Sequence, residues 1–195
     1  MRLFIAAEIP APIIHRLGAL IEHLRGEIAG PRWVKPEGIH LTFKFLGEVN
    51  EQDLPRLSGA LGAAMKPMMS SATPPLVVSL AGIGTFPERG RAKVLWVGLR
   101  EPTGGLETTH RRVAQAVQSA ALVPVRGRER VFSPHLTLAR FGEGPTPAGL
   151  AHAIATCNEA LEPSGESFEV ASVCLFQSLL KPGGAEYRKL EEYPL

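Results

Sequence analysis

Apolar positions recur in two rhythms along the chain. Residues Arg2 to Glu8 are apolar almost throughout and are followed by Pro10 and Pro12, which predicts a buried strand leading into a helix whose first turn tolerates proline. Ile13, Leu17, Leu20, Ile21, Leu24 and Ile28 then keep helical spacing, so the helix is expected to reach about Ala29, where Gly30 and Pro31 stop it. PRWVKPEG reads as a basic loop. From His40 to Leu46 the period drops to two: Leu41, Phe43 and Phe45 share one face, and His40, Thr42 and Lys44 share the other. That is the signature of a half-exposed strand.

Asn50 is placed to cap a second helix through about Lys66, with Leu54, Leu57, Leu61 and Met65 inward and Pro67 beyond it. PLVVSLAGIGTF and AKVLWVGL read as two strands of a hairpin around PERGR. Thr103 is placed to cap a third helix through about Leu122; RGRER leads into a strand, HLTLARF; and a fourth helix is expected over about Pro147 to Leu161. SFEVASVCLFQSLL, a turn at KPGG and a short strand around EYRKLEE close the chain. This order lacks the steady alternation that builds a parallel sheet, and it predicts an α+β fold.

Composition narrows the function. The 195 residues contain 21 Lys and Arg against 19 Asp and Glu, a formal charge of +2, too small for a histone-like polyanion binder but compatible with a local basic pocket. Cys157 and Cys174 form no CxxC and have no His at zinc-finger spacing, so a reducing cytoplasm is the expected location. The opening apolar run is too short for a signal-peptide core or a membrane span, which predicts a soluble, unexported protein. No GxxxxGK[ST] and no strand-bound GxGxxG occurs, which argues against nucleoside-triphosphate or dinucleotide chemistry.

An internal repeat carries the chemistry. HLTFKFLGE, beginning at His40, aligns without gaps to HLTLARFGE, beginning at His135, with His, Leu, Thr, Gly and Glu in common. Two related lobes within one domain spanning 1–195 are expected, with a pseudo-two-fold axis bringing the two strands together over a shared cleft. His and Thr at i and i+2 point to one side of a strand while the Leu between them points to the core. Two histidines in one cleft can sit in opposite protonation states, one taking a proton and one giving it, as a concerted displacement at phosphorus requires. Threonine hydroxyls can donate to non-bridging phosphate oxygens as charge builds there.

The chain resembles the bacterial and archaeal RNA 2′,3′-cyclic phosphodiesterases of the two-histidine phosphoesterase superfamily, once called 2′-5′ RNA ligases. The resemblance rests on His40-Leu41-Thr42-Phe43 and His135-Leu136-Thr137-Leu138 in the blocks RWVKPEGIHLTFKFLGE and SPHLTLARF, and on RLFIAAEIP, VLWVGL and LFQSLLKPGGAEYRKLEEYPL. It implies a bilobal α+β fold with antiparallel sheets flanked by helices around a central cleft. It implies opening of an RNA 2′,3′-cyclic phosphate to a 2′-phosphate with no metal or cofactor, and reversible ATP-independent joining of tRNA halves. It also implies His40 as proton donor to the leaving 3′ oxygen and His135 as the acceptor that activates water.

Further binding candidates surround the motifs. Arg140 falls on the face opposite His135 by simple parity unless a bulge re-aims it, yet the resemblance makes it a phosphate ligand. Lys44 shares the predicted face of His40 and can reach a phosphate. Arg126, Arg128 and Arg130 form a basic run that can steer an RNA backbone, and Phe132 and Trp33 can stack on bases. His15, His23, His110 and His152 fall on predicted helices without ligand spacing, where a surface position is expected. A monomer acting on RNA ends is the leading reading. An RNA-binding protein without turnover and a metallohydrolase using the two histidines are the rivals, the latter lacking a further ligand on either strand.

Overall fold

A computed structural model describes residues 1–66, 75–121, 131–161, 166–181 and 184–195. The strands are β1 (Arg2–Glu8), β2 (Arg32–Trp33), β3 (His40–Glu48), β4 (Val77–Phe86), β5 (Val94–Arg100), β6 (His135–Arg140), β7 (Ser167–Glu169), β8 (Ser172–Lys181) and β9 (Gly184–Pro194). The helices are α1 (Ala11–Glu27), α2 (Leu54–Met65), α3 (Gly105–Ser119) and α4 (Leu150–Leu161). The strands form one antiparallel sheet in the order β7-β4-β5-β6-β3-β1-β8-β9, with β2 also paired to β6. The α+β expectation holds. The repeat is visible in the topology: β6-β5-β4-β7 and β3-β1-β8-β9 are equivalent halves that meet where β3 pairs with β6 through Leu41 and Leu136.

The two faces of the sheet differ in chemistry. One carries the main core, to which all four helices contribute, with Leu17, Leu57, Val113 and Ala153 buried against Ile5, Leu41, Val97 and Leu136. Apolar residues at three- and four-residue spacing give each helix one stripe to bury there. The other face holds a small separate cluster of Phe4, Ala6, Cys174 and Phe176 and carries the motif histidines. SFEVASVCLFQSLL is not one strand: β7 pairs with β4 and β8 pairs with β1, on opposite halves of the sheet. Only Val170 and Ala171 separate them, so Glu169 and Ser172 lie within about 11 Å. The sheet must therefore curl until its two sides approach, which makes its bare face concave.

The helix starts differ from expectation. Asn50 supplies no side-chain cap; Glu51–Asp53 form a 3₁₀ turn closed by Asp53 N–H to Asn50 O at 3.0 Å, and α2 begins at Leu54 with Pro55 in its first turn. Thr103 does not cap α3. The Glu101 carboxylate does this, accepting from Thr103 N–H at 2.6 Å and Leu106 N–H at 3.2 Å, because it reaches amides that a threonine hydroxyl cannot. α1 stops at Glu27, two residues early, and α4 starts at Leu150, three residues late. PRWVKPEG, read as a loop, contains β2. The expected end of α3 at Leu122 and the stop at Pro67 lie outside the described residues.

Gly84 shows how closely the bare face is packed. It lies beside Trp96 in the β4–β5 register, and a Cβ there would run into the indole. Gly84→Ala is expected to cost about 1–3 kcal/mol, read by urea unfolding, with a displaced Trp96 fluorescence maximum. An unchanged midpoint and spectrum would contradict this packing.

Candidate active site

His40 and His135 are anchored in the same way. His40 Nδ1 lies 2.8 Å from Gly38 O, and His135 Nδ1 lies 2.7 Å from Ser133 O, the carbonyl two residues earlier in both cases. A carbonyl can only accept, so Nδ1 carries the proton in each ring and Nε2 is left to exchange protons. Aromatic rings flank both. Phe4 and Tyr187 stand 4.8 and 5.1 Å from the His40 ring, and Phe86 and Trp96 stand 4.9 and 6.4 Å from the His135 ring.

Two bulges decide what else reaches this face. In β3 the register passes from Ala6↔Thr42 to Ile5↔Lys44, skipping Phe43; in β6 it passes from Trp96↔Thr137 to Leu95↔Ala139, skipping Leu138. Phe43 and Leu138 are the same position of the repeat. A bulge reverses the alternation beyond it. Arg140 therefore joins the phase of His135 and Thr137 and pairs with Val94, while its neighbours Leu138 and Ala139 are both buried on the helix side. The parity objection to Arg140 is thus removed.

The same device corrects two readings. Lys44 does not share the face of His40: it pairs with Ile5, a residue of the helix-side core. Phe45 does not join Leu41 and Phe43; it pairs with Phe4, is 63% exposed, and its ring stands 5.9 Å from that of Phe4. Phe45 and Arg140 occupy equivalent positions, so the bulges present an aromatic ring from one motif and a cation from the other. Sequence reasoning missed Phe45 because strict alternation buries it; the repeat alignment with Arg140 is the signal that could have found it.

Other candidates move away from the site. Phe132 stacks on His110 with ring centres 4.3 Å apart and lies near Phe43, packed against the helix-side core, so it is not a base platform in the cleft. His110 is accordingly half-buried, not a surface residue, whereas His15, His23 and His152 are exposed. Trp33 also packs against the core. Arg126, Arg128 and Arg130 lie outside the described residues.

A cavity of ≈ 570 Å³ adjoins His40. Phe4, Phe176 and Tyr187 form its apolar wall, and Glu8, Glu37, Glu169 and Glu192 line its edges. Glu8, Cys174 and Glu192 place three possible metal-binding atoms within 4.8 Å of one another. The Lys189 ammonium bonds both carboxylates at 2.8 Å, supplying the cation that this pair of charges calls for. Burial pushes the Cys174 thiol up, away from the thiolate a metal would need.

Both histidines are held below the usual imidazole value. For His40 burial dominates; the Gly38 carbonyl acts in the other direction, and the charges of Arg140 and His135 lower it further. For His135 burial again leads, opposed by the Ser133 carbonyl and assisted by Arg140. Arg140 therefore acts on both rings, and a charge on one opposes a charge on the other.

Comparison with known proteins agrees with this geometry. Residues 10–181 match the model of the 2′-5′ RNA ligase superfamily, and the chain belongs to that superfamily. It is 30% identical over 197 residues to the RNA 2′,3′-cyclic phosphodiesterase of Archaeoglobus fulgidus, covering 99% of each chain. It is 31% identical over 199 residues to the protein of the same name from Thermus thermophilus, covering 100% of this chain and 90% of that one. A crystal structure of a second Thermus thermophilus chain, TT0787, superposes with a TM-score of 0.76 at 29% identity, covering 100% of this chain and 98% of that one. That of E. coli LigT complexed with 3′-AMP gives 0.70 at 25% identity, covering 100% and 97%.

The depressed histidines make a signed prediction. In the fold they stay neutral at a pH where unfolded histidines, near 6.5, are charged. Their contribution to stability is full above pH 6.5 and is lost as pH falls through their lower folded values. NMR titration of the imidazole protons should give both midpoints below 6.5, and Arg140→Gln should raise both. A shift of only one, or of neither, would show that Arg140 does not lie between them.

Proposed function

We propose that this protein opens RNA 2′,3′-cyclic phosphate ends to 2′-phosphates by paired histidine acid-base catalysis, the whole chain 1–195 acting as one bilobal unit. The observation that carries the reading is the duplicated arrangement itself: two imidazoles, each fixed through Nδ1, each with a threonine two residues on, and Arg140 acting on both. The names of the relatives support the same reaction, and the LigT structures with 3′-AMP and with phosphate support a nucleotide and its phosphate as occupants of such a cleft.

The cyclic phosphate sits between the histidines. His135 Nε2 takes a proton from water as the water oxygen bonds to phosphorus; the bond from phosphorus to the 3′ oxygen breaks; and protonated His40 gives its Nε2 proton to that oxygen. The cavity supports this direction. It lies against His40 and is large enough for a nucleoside, so the ribose bearing the leaving oxygen is on the His40 side and water enters opposite. Thr42, Thr137 and Arg140 offer hydrogen bonds and charge to the non-bridging oxygens. If the 5′-hydroxyl of a second RNA replaces water, the same steps join the two ends by a 2′-5′ linkage without ATP, as tRNA halves would require. The protein acts as a cytoplasmic monomer on this reading; among the described residues, no helix is long and apolar enough to cross a membrane.

His40→Ala and His135→Ala should each lower turnover of a 2′,3′-cyclic dinucleotide by about 10²–10⁴. The double variant should fall far short of the product of the two. Turnover should persist in excess chelator, and phosphorus NMR should show a 2′-phosphate. Full activity in either single variant, or a 3′-phosphate product, would overturn the mechanism.

A further inference from the structure

The short strand β2 places a second arginine beside Arg140. In the β2–β6 ladder Arg32 is the register partner of Arg140 and Trp33 that of Ala139. Register partners of an antiparallel pair point to the same face, with Cβ atoms about 5 Å apart. Trp33 packs into the helix-side core with Ala139, so Arg32 emerges with Arg140 on the concave face that holds the histidines. The strand is pinned there by Val34 N–H to Leu138 O at 2.8 Å.

Two like charges directly opposite on paired strands repel each other. Both arginines are exposed, and among the described residues neither has an ion-pair or hydrogen-bond partner. The basic side chains at exposed positions elsewhere commonly do: Arg25, Arg56, Lys181 and Lys189 each meet a carboxylate at 2.6–2.9 Å. The arrangement is one that an anion relieves, and the anion must be multiply charged or multiple, because one guanidinium is already committed to the reacting phosphate.

We infer that Arg32 binds the next phosphate along the RNA, the one attached to the 5′ oxygen of the terminal nucleoside, so that Arg32 and Arg140 clamp two successive phosphates of one strand. This deepens the reading above and rests on it. A free 2′,3′-cyclic mononucleotide has no such phosphate, whereas every RNA end does. Arg32 is then the residue by which the site prefers a polymer end to a released nucleotide, and it is a specificity residue, with no part in proton transfer. Its planar fork suits a phosphate bidentately, which a lysine cannot match.

The test compares one variant on two substrates. For Arg32→Ala, the ratio of kcat/KM on a trinucleotide ending in a 2′,3′-cyclic phosphate to that on the cyclic mononucleotide should fall about tenfold, and Arg32→Lys should restore part of it. Binding of the labelled trinucleotide, followed by fluorescence anisotropy against salt, should weaken and lose about 0.7 from its log–log slope, the loss of one single-strand phosphate contact. An unchanged ratio with an unchanged slope would show Arg32 idle, and an equal loss on both substrates would place it on the reacting phosphate; either overturns the clamp. Wild-type protein that turns over neither substrate would fail the functional reading instead, and the binding slope would still decide the role of Arg32.

Discussion

One register pair makes a single site out of two motifs. Leu41 and Leu136, both completely buried, face each other where β3 meets β6 at the middle of the sheet. Each leucine is the residue between a motif His and its Thr, so burying the two side by side turns both His-Thr pairs to the opposite face. A slip of one residue in either strand would send one pair into the helix-side core. The hydrophobic drive that builds the core therefore also fixes the geometry of the polar face.

On that face, burial and charge act together. Imidazoles enclosed by Phe4, Tyr187, Phe86 and Trp96 resist protonation, and Arg140 adds to the resistance. A bound phosphate reverses the balance, since its negative charge favours one protonated imidazole while mutual repulsion disfavours a second. Two side chains of the same type can thus take different roles. The asymmetry that assigns those roles lies one step further out, in the cavity beside His40 and in the exchange of Phe45 for Arg140 at equivalent positions.

Much of the architecture was legible in the residue pattern. Period-two alternation marks β3, three- and four-residue spacing marks the helices, and the Pro and Gly cluster at PERGR marks the β4–β5 hairpin, because each pattern reports which side of one element is buried. What escaped depended on partners distant in sequence. The two-residue strand β2 has no pattern of its own and exists because β6 offers it a ladder. The split of the C-terminal apolar run into β7 and β8 follows from the curl of the sheet, and helix starts moved where Glu101 or a 3₁₀ turn supplied a better end than the nearest threonine or asparagine.

The sequence by itself determined the fold class, the duplicated His-Thr motif and the side of the strand on which each pair lies, since a residue and its neighbour two positions on share a face in any regular strand. Only the tertiary structure decided what lies beyond Thr42 and Thr137. A bulge is a property of two paired strands, written in neither alone, and the bulges at Phe43 and Leu138 carry Lys44 out of the cleft and bring Phe45 and Arg140 in. The pairing of Arg32 with Arg140 has the same origin: residues from opposite halves of the chain become neighbours because the backbone of β6 has hydrogen bonds to satisfy there.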